Sequence, residues 1–332
     1  MTYYTLPKLF RNNNTNIINT LNIIFKHNNE IQDDSLLEKL LNTLITESNK
    51  HKYEEIKSLH SFTDLLNLKI SDEIYHPKSY FAFIEISKVT NIFSKSNLVS
   101  FHMSDSYDYL DALYQLRKHK DEYVYITEET TSHDIPEYIT SNIINTNNIL
   151  NISTKYLNYA DLICINYDES NYIVKYLLLS LLIQRKGGIC ILKMKRLNNY
   201  ISKEIIYILM SLYENVMIIK PKIVNSINEY KYIVALNMCN NISDVVSDKI
   251  NMVIQEIFKL KHDEHIVKLL DTDVPQILIN KIDECELIMS ENTLLTHMKI
   301  CNSININNVN IKSLEKKNEH DTKSWLKENN IV

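Results

Sequence analysis

The stretch from Tyr176 to Val234 restricts the fold of this chain more than any other. It reads YLLLSLLIQRKGGICILKMKRLNNYISKEIIYILMSLYENVMIIKPKIVNSINEYKYIV. An apolar helix over about Ile173–Gln184 runs into Gly187-Gly188, and a short buried strand, Ile189–Leu192, delivers Lys193 at its end. A second helix over about Lys203–Tyr213 leads to a strand at Val216–Ile219, which Lys220-Pro221 terminates. A polar loop then leads to a last strand, Tyr230–Leu236. Helix, strand, helix, strand, strand is the second half of an open α/β sheet. The loop before the last strand is too short for a crossover helix, so that strand is expected to pair antiparallel with its predecessor.

The same residues carry a family likeness. Lys186, Gly187, Gly188, Lys193, Leu212, Tyr213, Val216, Ile218, Ile219, Lys220, Pro221, Tyr232 and Val234 form the pattern K-G-G-x-x-x-x-K, then L-Y-x-x-V-x-I-I-K-P, then Y-x-V. This pattern resembles the C-terminal half of the FtsJ/RrmJ-type RNA 2′-O-methyltransferases, in particular the cap-methylating branch of large DNA viruses and animals. The likeness covers about 60 residues well and the hundred before them weakly. It implies a Rossmann-like S-adenosylmethionine-methyltransferase sheet with an antiparallel last strand, over residues 76–240. Helical extensions would flank it at 1–75 and 241–332.

Bulk properties agree with a large folded chain. At 332 residues, 45% hydrophobic and 23% charged, it can bury a substantial core. Abundant Asn, Ile, Lys and Tyr suggest an AT-rich genome. The five cysteines are odd in number and unpatterned, which reads as buried free thiols in a reducing, intracellular compartment. Host cytoplasm or virion is the expected location if the source is viral. No signal peptide is evident and no apolar run is long enough to span a bilayer, so no membrane partner is expected. A net charge of −5 does not announce nucleic-acid binding, although a local basic face remains open to it.

Taken in order, residues 1–15 read as a polar, loosely ordered arm. Helical spacing follows at Asn16–Phe25, Leu36–Ile45 and Tyr53–Leu68. Ser79–Ile86 reads as the first buried strand. The family places a glycine-rich cofactor turn after this strand, because close approach of backbone to ligand needs glycine. Here the stretch is Ser87-Lys88-Val89-Thr90-Asn91-Ile92-Phe93, without glycine, so Ser87, Thr90 and Asn91 are the candidate cofactor contacts of a degenerate loop. Strands are expected at Leu98–His102, Tyr123–Ile126 and Asp161–Ile165, with a shorter one near Ile149–Ile152. A helix is expected at Asp105–Arg117, capped by Asp105 or Ser106. Beyond residue 240 the pattern gives helices at Ile242–Leu260, Val274–Lys299 and Ser313–Asn330.

The family reaction moves a methyl group from S-adenosylmethionine to a ribose 2′-OH through a Lys-Asp-Lys-Glu tetrad. A hydroxyl is a poor nucleophile, so a lysine assists its deprotonation and carboxylates position the lysines. Lys193 matches the central lysine. Asn166 stands at the Asp position, with Asp168 two residues on as a substitute if the loop is rearranged. Tyr230 stands at the Glu position, and the adjacent Glu229 is the possible substitute there, although strand alternation turns it to the other face. Lys69 is the nearest candidate for the first lysine, at too short a spacing. Lys195, Arg196, Lys220 and Lys222, with Arg185 and Lys186, form a basic cluster that suits RNA phosphates, or an ordinary solvated surface. His262 and His265 have a workable metal spacing on a helix, but a third ligand is missing and no metal is expected.

These substitutions leave three functions in view. The chain is a divergent cap methyltransferase acting on capped mRNA, or a catalytically inactive subunit that scaffolds or stimulates a capping, methylating or polyadenylating partner, or an RNA-binding protein. On the residues, loss of activity is favoured.

Overall fold

The computed structural model describes residues 2–6, 16–27, 43, 45–70, 75–92, 95–117, 121–127, 143–145, 149–224, 228–261, 264–306 and 311–331. Its first elements are β1 (Thr2–Thr5), α1 (Asn16–Asn19), β2 (Leu21–His27), α2 (Glu47–Ser58), α3 (Thr63–Ile70) and α4 (Lys78–Thr90). The sheet unit continues with β3 (Val99–Ser104), α5 (Asp108–Arg117), β4 (Glu122–Thr127), β5 (Ile143–Asn145), α6 (Ile149–Lys155), β6 (Ala160–Asn166) and α7 (Ser170–Ile183). Then come β7 (Gln184–Met194), α8 (Tyr200–Leu212), β8 (Tyr213–Lys220), a 3₁₀ turn at Lys222–Val224 and β9 (Lys231–Met238). The chain closes with α9 (Asp244–Phe258), β10 (Glu264–Leu270), α10 (Gln276–Ile306) and α11 (Ile311–Asn329).

Eight strands form one sheet in the order β1-β8-β9-β7-β6-β3-β4-β5, and β10 pairs with β2 in a separate ribbon. The run from β7 through β6 and β3 to β4 and β5 is parallel. β9 lies antiparallel between β7 and β8, as the short loop before it requires. The fold is thus the Rossmann-like, methyltransferase-type sheet with an antiparallel last strand. All seven residues of β6 are buried, as expected of a parallel strand covered on both faces. Alternation sorts the side chains. Phe101, Met103, Ile163, Ile165 and Leu192 pack with α7, α8 and α9 on one face. Leu162, Cys164, Ile191, Tyr232 and Val234 pack with α4, α5 and Trp325 of α11 on the other.

Several expectations fail for physical reasons. Ser79–Ile86 is not a strand but lies within α4, where Tyr80 through Ser87 are all buried. A helix covered all round has no polar face, so its sequence loses the 3.6-residue period and its aromatic and branched residues imitate a strand. Asn16–Phe25 divides into α1 and β2, since β10 offers a strand partner 240 residues later. Tyr53–Leu68 divides into α2 and α3. The strand near Ile149–Ile152 is α6. The arm at 1–15 contributes β1, which pairs with the β8 edge from Thr2 opposite Lys220 to Thr5 opposite Met217. Most of Leu36–Ile45 lies outside the described residues, as does Phe93.

Gly187 and Gly188 open β7 at its N-terminal edge. Gly187 has φ 77, and a Cβ on Gly188 would meet Gln184 Cγ at 2.6 Å and the Arg185 carbonyl at 2.8 Å. The pair forms an irregularity in β7, where β6 pairing skips from Ala160–Gln184 to Leu162–Ile189.

Candidate functional site

In an open parallel sheet, ligands bind outside the carboxyl ends of the strands where the strand order reverses. Here that point lies between β3 and β6. The ends of β3, β6 and β7 and the start of β9 bring Ser104–Tyr107, Asn166–Asp168, Lys193 and Tyr230 to one edge.

Lys193, next to last in β7, pairs with Tyr232 of β9. Its ammonium lies 2.8 Å from Asp168 Oδ1 and 4.2 Å from the centroid of the Tyr230 ring. The Tyr230 hydroxyl donates to Asp168 Oδ2 at 2.9 Å, so one carboxylate ties the two together. Burial, reinforced by Asp168, pushes the Tyr230 phenol up to about 12. Asp105, in the turn after β3, joins the same field. Partial burial raises its carboxyl, and the Lys193 charge opposes that rise. Asp168 reaches Lys193 because the chain turns after Asn166 before α7 begins at Ser170.

The other candidates go elsewhere. Asn166 is 3% exposed. Its amide donates to Ser106 Oγ at 3.3 Å, while its Oδ1 has no hydrogen-bond partner. Glu229 lines a cavity against α10 rather than the Lys193 cluster. Lys69 is exposed on α3, which packs against α11 rather than against the strand ends. Ser87, Thr90 and Asn91 close α4. Thr90 Oγ1 bonds back to the Ile86 carbonyl at 3.0 Å, and Asn91 is a left-handed cap with φ 52. The chain beyond them reaches Lys95, whose ammonium meets Asp161 at 3.7 Å at the start of β6. The expected cofactor loop therefore ends a helix at the edge of the sheet opposite to Lys193. The turn that does follow the first parallel strand is Ser104-Asp105-Ser106-Tyr107. Strand, acidic cap and helix in succession at 99–117 were the signal for it.

S-adenosylmethionine would have to bind against that turn, and the groups present do not fit it. The turn contains no glycine. The Tyr125 hydroxyl donates to the Ser104 carbonyl at 2.6 Å. The Ser106 amide donates to Ser104 Oγ at 3.0 Å. The Tyr107 and Tyr125 rings lie 4.5 Å apart, so β3's end is covered by the protein's own side chains. Asn166 Oδ1 is the buried acceptor left over there among the described residues.

The basic cluster divides. Arg185 pairs with Asp161 at the N-terminal edge, and Lys186 flanks the glycines there. Lys220 is fully buried and donates to the Met289 carbonyl at 2.8 Å. Helix α10 covers it, which withdraws it from any RNA. Lys222 reaches Ser324 at 3.1 Å and Glu328 at 3.6 Å on α11. Lys195 and Arg196 remain beside Lys193 and line a cleft of about 210 Å³ with Asp168, Ser170 and Asn199. Among the described residues no three His, Cys, Asp or Glu side chains converge as for a metal. Glu264–Leu270 is a strand, so helical spacing does not apply to His265, and His262 lies outside the described residues. No helix among the described residues is long and apolar enough to cross a membrane.

No family model and no curated protein matches the sequence. Solved structures do. A probable spermidine synthase from Corynebacterium glutamicum is similar at 12% identity and TM-score 0.39, over 63% of this chain and 79% of that one. Human methyltransferase-like protein 13 in complex with SAH is similar at 7% identity and TM-score 0.34, over 55% and 90%. The Methanococcus jannaschii fibrillarin pre-rRNA processing protein is similar at 13% identity and TM-score 0.31, over 44% and 69%. Likeness this distant carries nothing about activity. What the strand order does establish is the fold class, a Rossmann-like, methyltransferase-type α/β sheet.

Proposed function

We propose that this chain is a methyltransferase-fold subunit, related to the FtsJ-type cap 2′-O-methyltransferases, that has given up methyl transfer and serves an RNA-capping, methylating or polyadenylating partner. The observation that carries this is the closure of the turn after β3, where Tyr125 occupies the Ser104 carbonyl and no glycine opens the backbone. Asn166 and Tyr230 stand where the family tetrad has its carboxylates, so proton-accepting capacity is lost at both positions. What remains at Lys193 is a cation held by Asp168 and Tyr230, suited to binding. With Lys195 and Arg196 beside it, this edge suits RNA phosphates.

A second reading is favoured by one contact. The 2.8 Å pair of Lys193 with Asp168 puts a carboxylate back beside the lysine, as a working 2′-O-methyltransferase requires. Calorimetry with S-adenosylmethionine and S-adenosylhomocysteine separates the two. No binding at millimolar ligand is the expected result. Micromolar binding, together with methylation of a capped RNA that Lys193→Ala abolishes, would overturn the inactive reading.

A further inference from the structure

Helix α10 has a buried apolar side and a separate exposed apolar stripe. The buried side packs into the molecule, with Leu278, Ile282, Cys285 and Met289 at 2% exposure or less. At 100° per residue, Ile277, Glu284, Ile288, Glu291, Leu295 and Met298 fall within about 80° of one another on the outer surface, with Leu287 beside them. Leu287 is 73% exposed, Ile277 60%, Ile288 45%, Leu295 44% and Met298 40%. Helices exposed to water on one side ordinarily carry polar residues there, and an apolar stripe in that place marks an interaction surface. From Ile277 to Met298 the stripe runs about 32 Å, the length of a three-heptad helix.

The charges around the stripe select its occupant. Leu287 and Glu291 also line a cavity of about 440 Å³, along with Glu229, Asp283, Glu286 and Arg196. Two of these carboxylates are answered within the chain, Asp283 by Lys203 at 2.7 Å and Glu286 by Lys231 at 2.6 Å. Glu229 and Glu291 line the cavity as well, and, with Arg196 the one cation among its described lining residues, the carboxylates there outnumber the positive charge. A second copy of the chain suits the stripe poorly. A two-fold axis near Ile288 would bring Glu284 of each copy, already paired with its own Lys281 at 2.7 Å, towards Glu291 of the other, so a second copy offers Glu291 no free cation. Nucleic acid is disfavoured by the same carboxylates.

We infer that the outer face of α10 docks a basic amphipathic helix of a protein partner, its apolar side on Leu287, Ile288 and Leu295 and a lysine or arginine in the cavity beside Glu229 and Glu291. This names the chemistry of the partner and rests, for its biological sense, on the subunit reading above. Arg196 lines both this cavity and the cleft beside Lys193, so a partner docked here lies next to the strand-end site.

The test uses the full chain and a fluorescein-labelled 22-residue helical peptide with leucines on one side and lysines elsewhere. A twin carries glutamates in place of the lysines. Fluorescence anisotropy is expected to give micromolar binding of the lysine peptide and at least tenfold weaker binding of its twin. The double variant Ile288→Ser with Leu295→Ser should weaken the lysine peptide at least tenfold. Glu291→Lys should weaken it about fivefold and improve the twin. Circular dichroism melts confirm that these surface variants fold. No binding, equal binding of both peptides, or indifference to either variant overturns the inference. So does a dimer in sedimentation that Ile288→Ser with Leu295→Ser dissociates. The peptide titration does not involve S-adenosylmethionine, so cofactor binding would defeat the inactive reading while leaving the docking result intact.

Discussion

Glu204, on α8, is fully buried and accepts from the Leu269 amide at 2.7 Å and the Leu270 amide at 3.2 Å. It thereby fastens β10 to the sheet unit. Burial is the largest influence on its carboxyl. The two amides and Lys268 pull the other way, Asp273 adds to burial, and the balance moves the group from the ordinary 4.5 to about 7. Between those values the folded chain holds a proton that the unfolded chain has released. Stability is therefore fullest below about 4.5, falls as pH rises through the window, and levels off above about 7. At 1.36 kcal/mol per pH unit the whole window is worth about 3 kcal/mol. Glu204→Gln carries no charge at any pH but keeps only one of the two accepting oxygens, a loss of about 1–2 kcal/mol that does not vary with pH. Urea unfolding at pH 4.5, 6, 7 and 8 should find the variant less stable than wild type by that amount at the acid end, and the difference should move in the variant's favour by up to about 3 kcal/mol by pH 8. A difference that stays constant between pH 4.5 and pH 8 would show that the two amides, and not burial, govern this carboxylate.

Other substitutions test other joints. Glu85 accepts from the Lys222 amide at 2.7 Å, the Ile223 amide at 3.0 Å and the Trp325 indole at 2.8 Å. Orphaning these donors in Glu85→Ala should cost about 4 kcal/mol in urea unfolding, and Glu85→Gln, which keeps the oxygen serving two of them, about half as much. Gly188→Ala forces a methyl against Gln184 and the Arg185 carbonyl, and should lower stability by about 2 kcal/mol without altering binding at Lys193. Burial and Lys231 bring the Lys220 ammonium down to about 8 from 10.5. Its folded form releases the proton first, so wild-type stability should rise from pH 8 to 10.5 relative to Lys220→Met, a slope that thermal melts would read.

The sheet's second half was readable because its strands are short apolar runs with polar ends. Ile189–Leu192 and Val216–Ile219 can be buried on both faces and little else. Lys193 followed from that, as the first polar residue past such a run. The cofactor loop went astray because SYFAFIEI has the composition of a strand and the burial of a central helix. Nothing local tells the two apart, and moving the first strand by one element moved the loop to the opposite edge. Asp168 was placed by the path of a turn, which residue types alone do not encode. Lys220 looked like a solvent-facing strand end because the helix that covers it lies some 70 residues later in the chain.

The pairing of β1 with β8 also sets a schedule for folding. Thr2 meets Lys220, so β1 has no partner until some 218 further residues have been made. At about 5–20 residues per second that wait is roughly 10–45 s. The parallel strands from β3 to β7 can assemble in the interval, and the N-terminal strand then closes the β8 edge, sealing backbone groups that would otherwise invite pairing with a neighbouring chain.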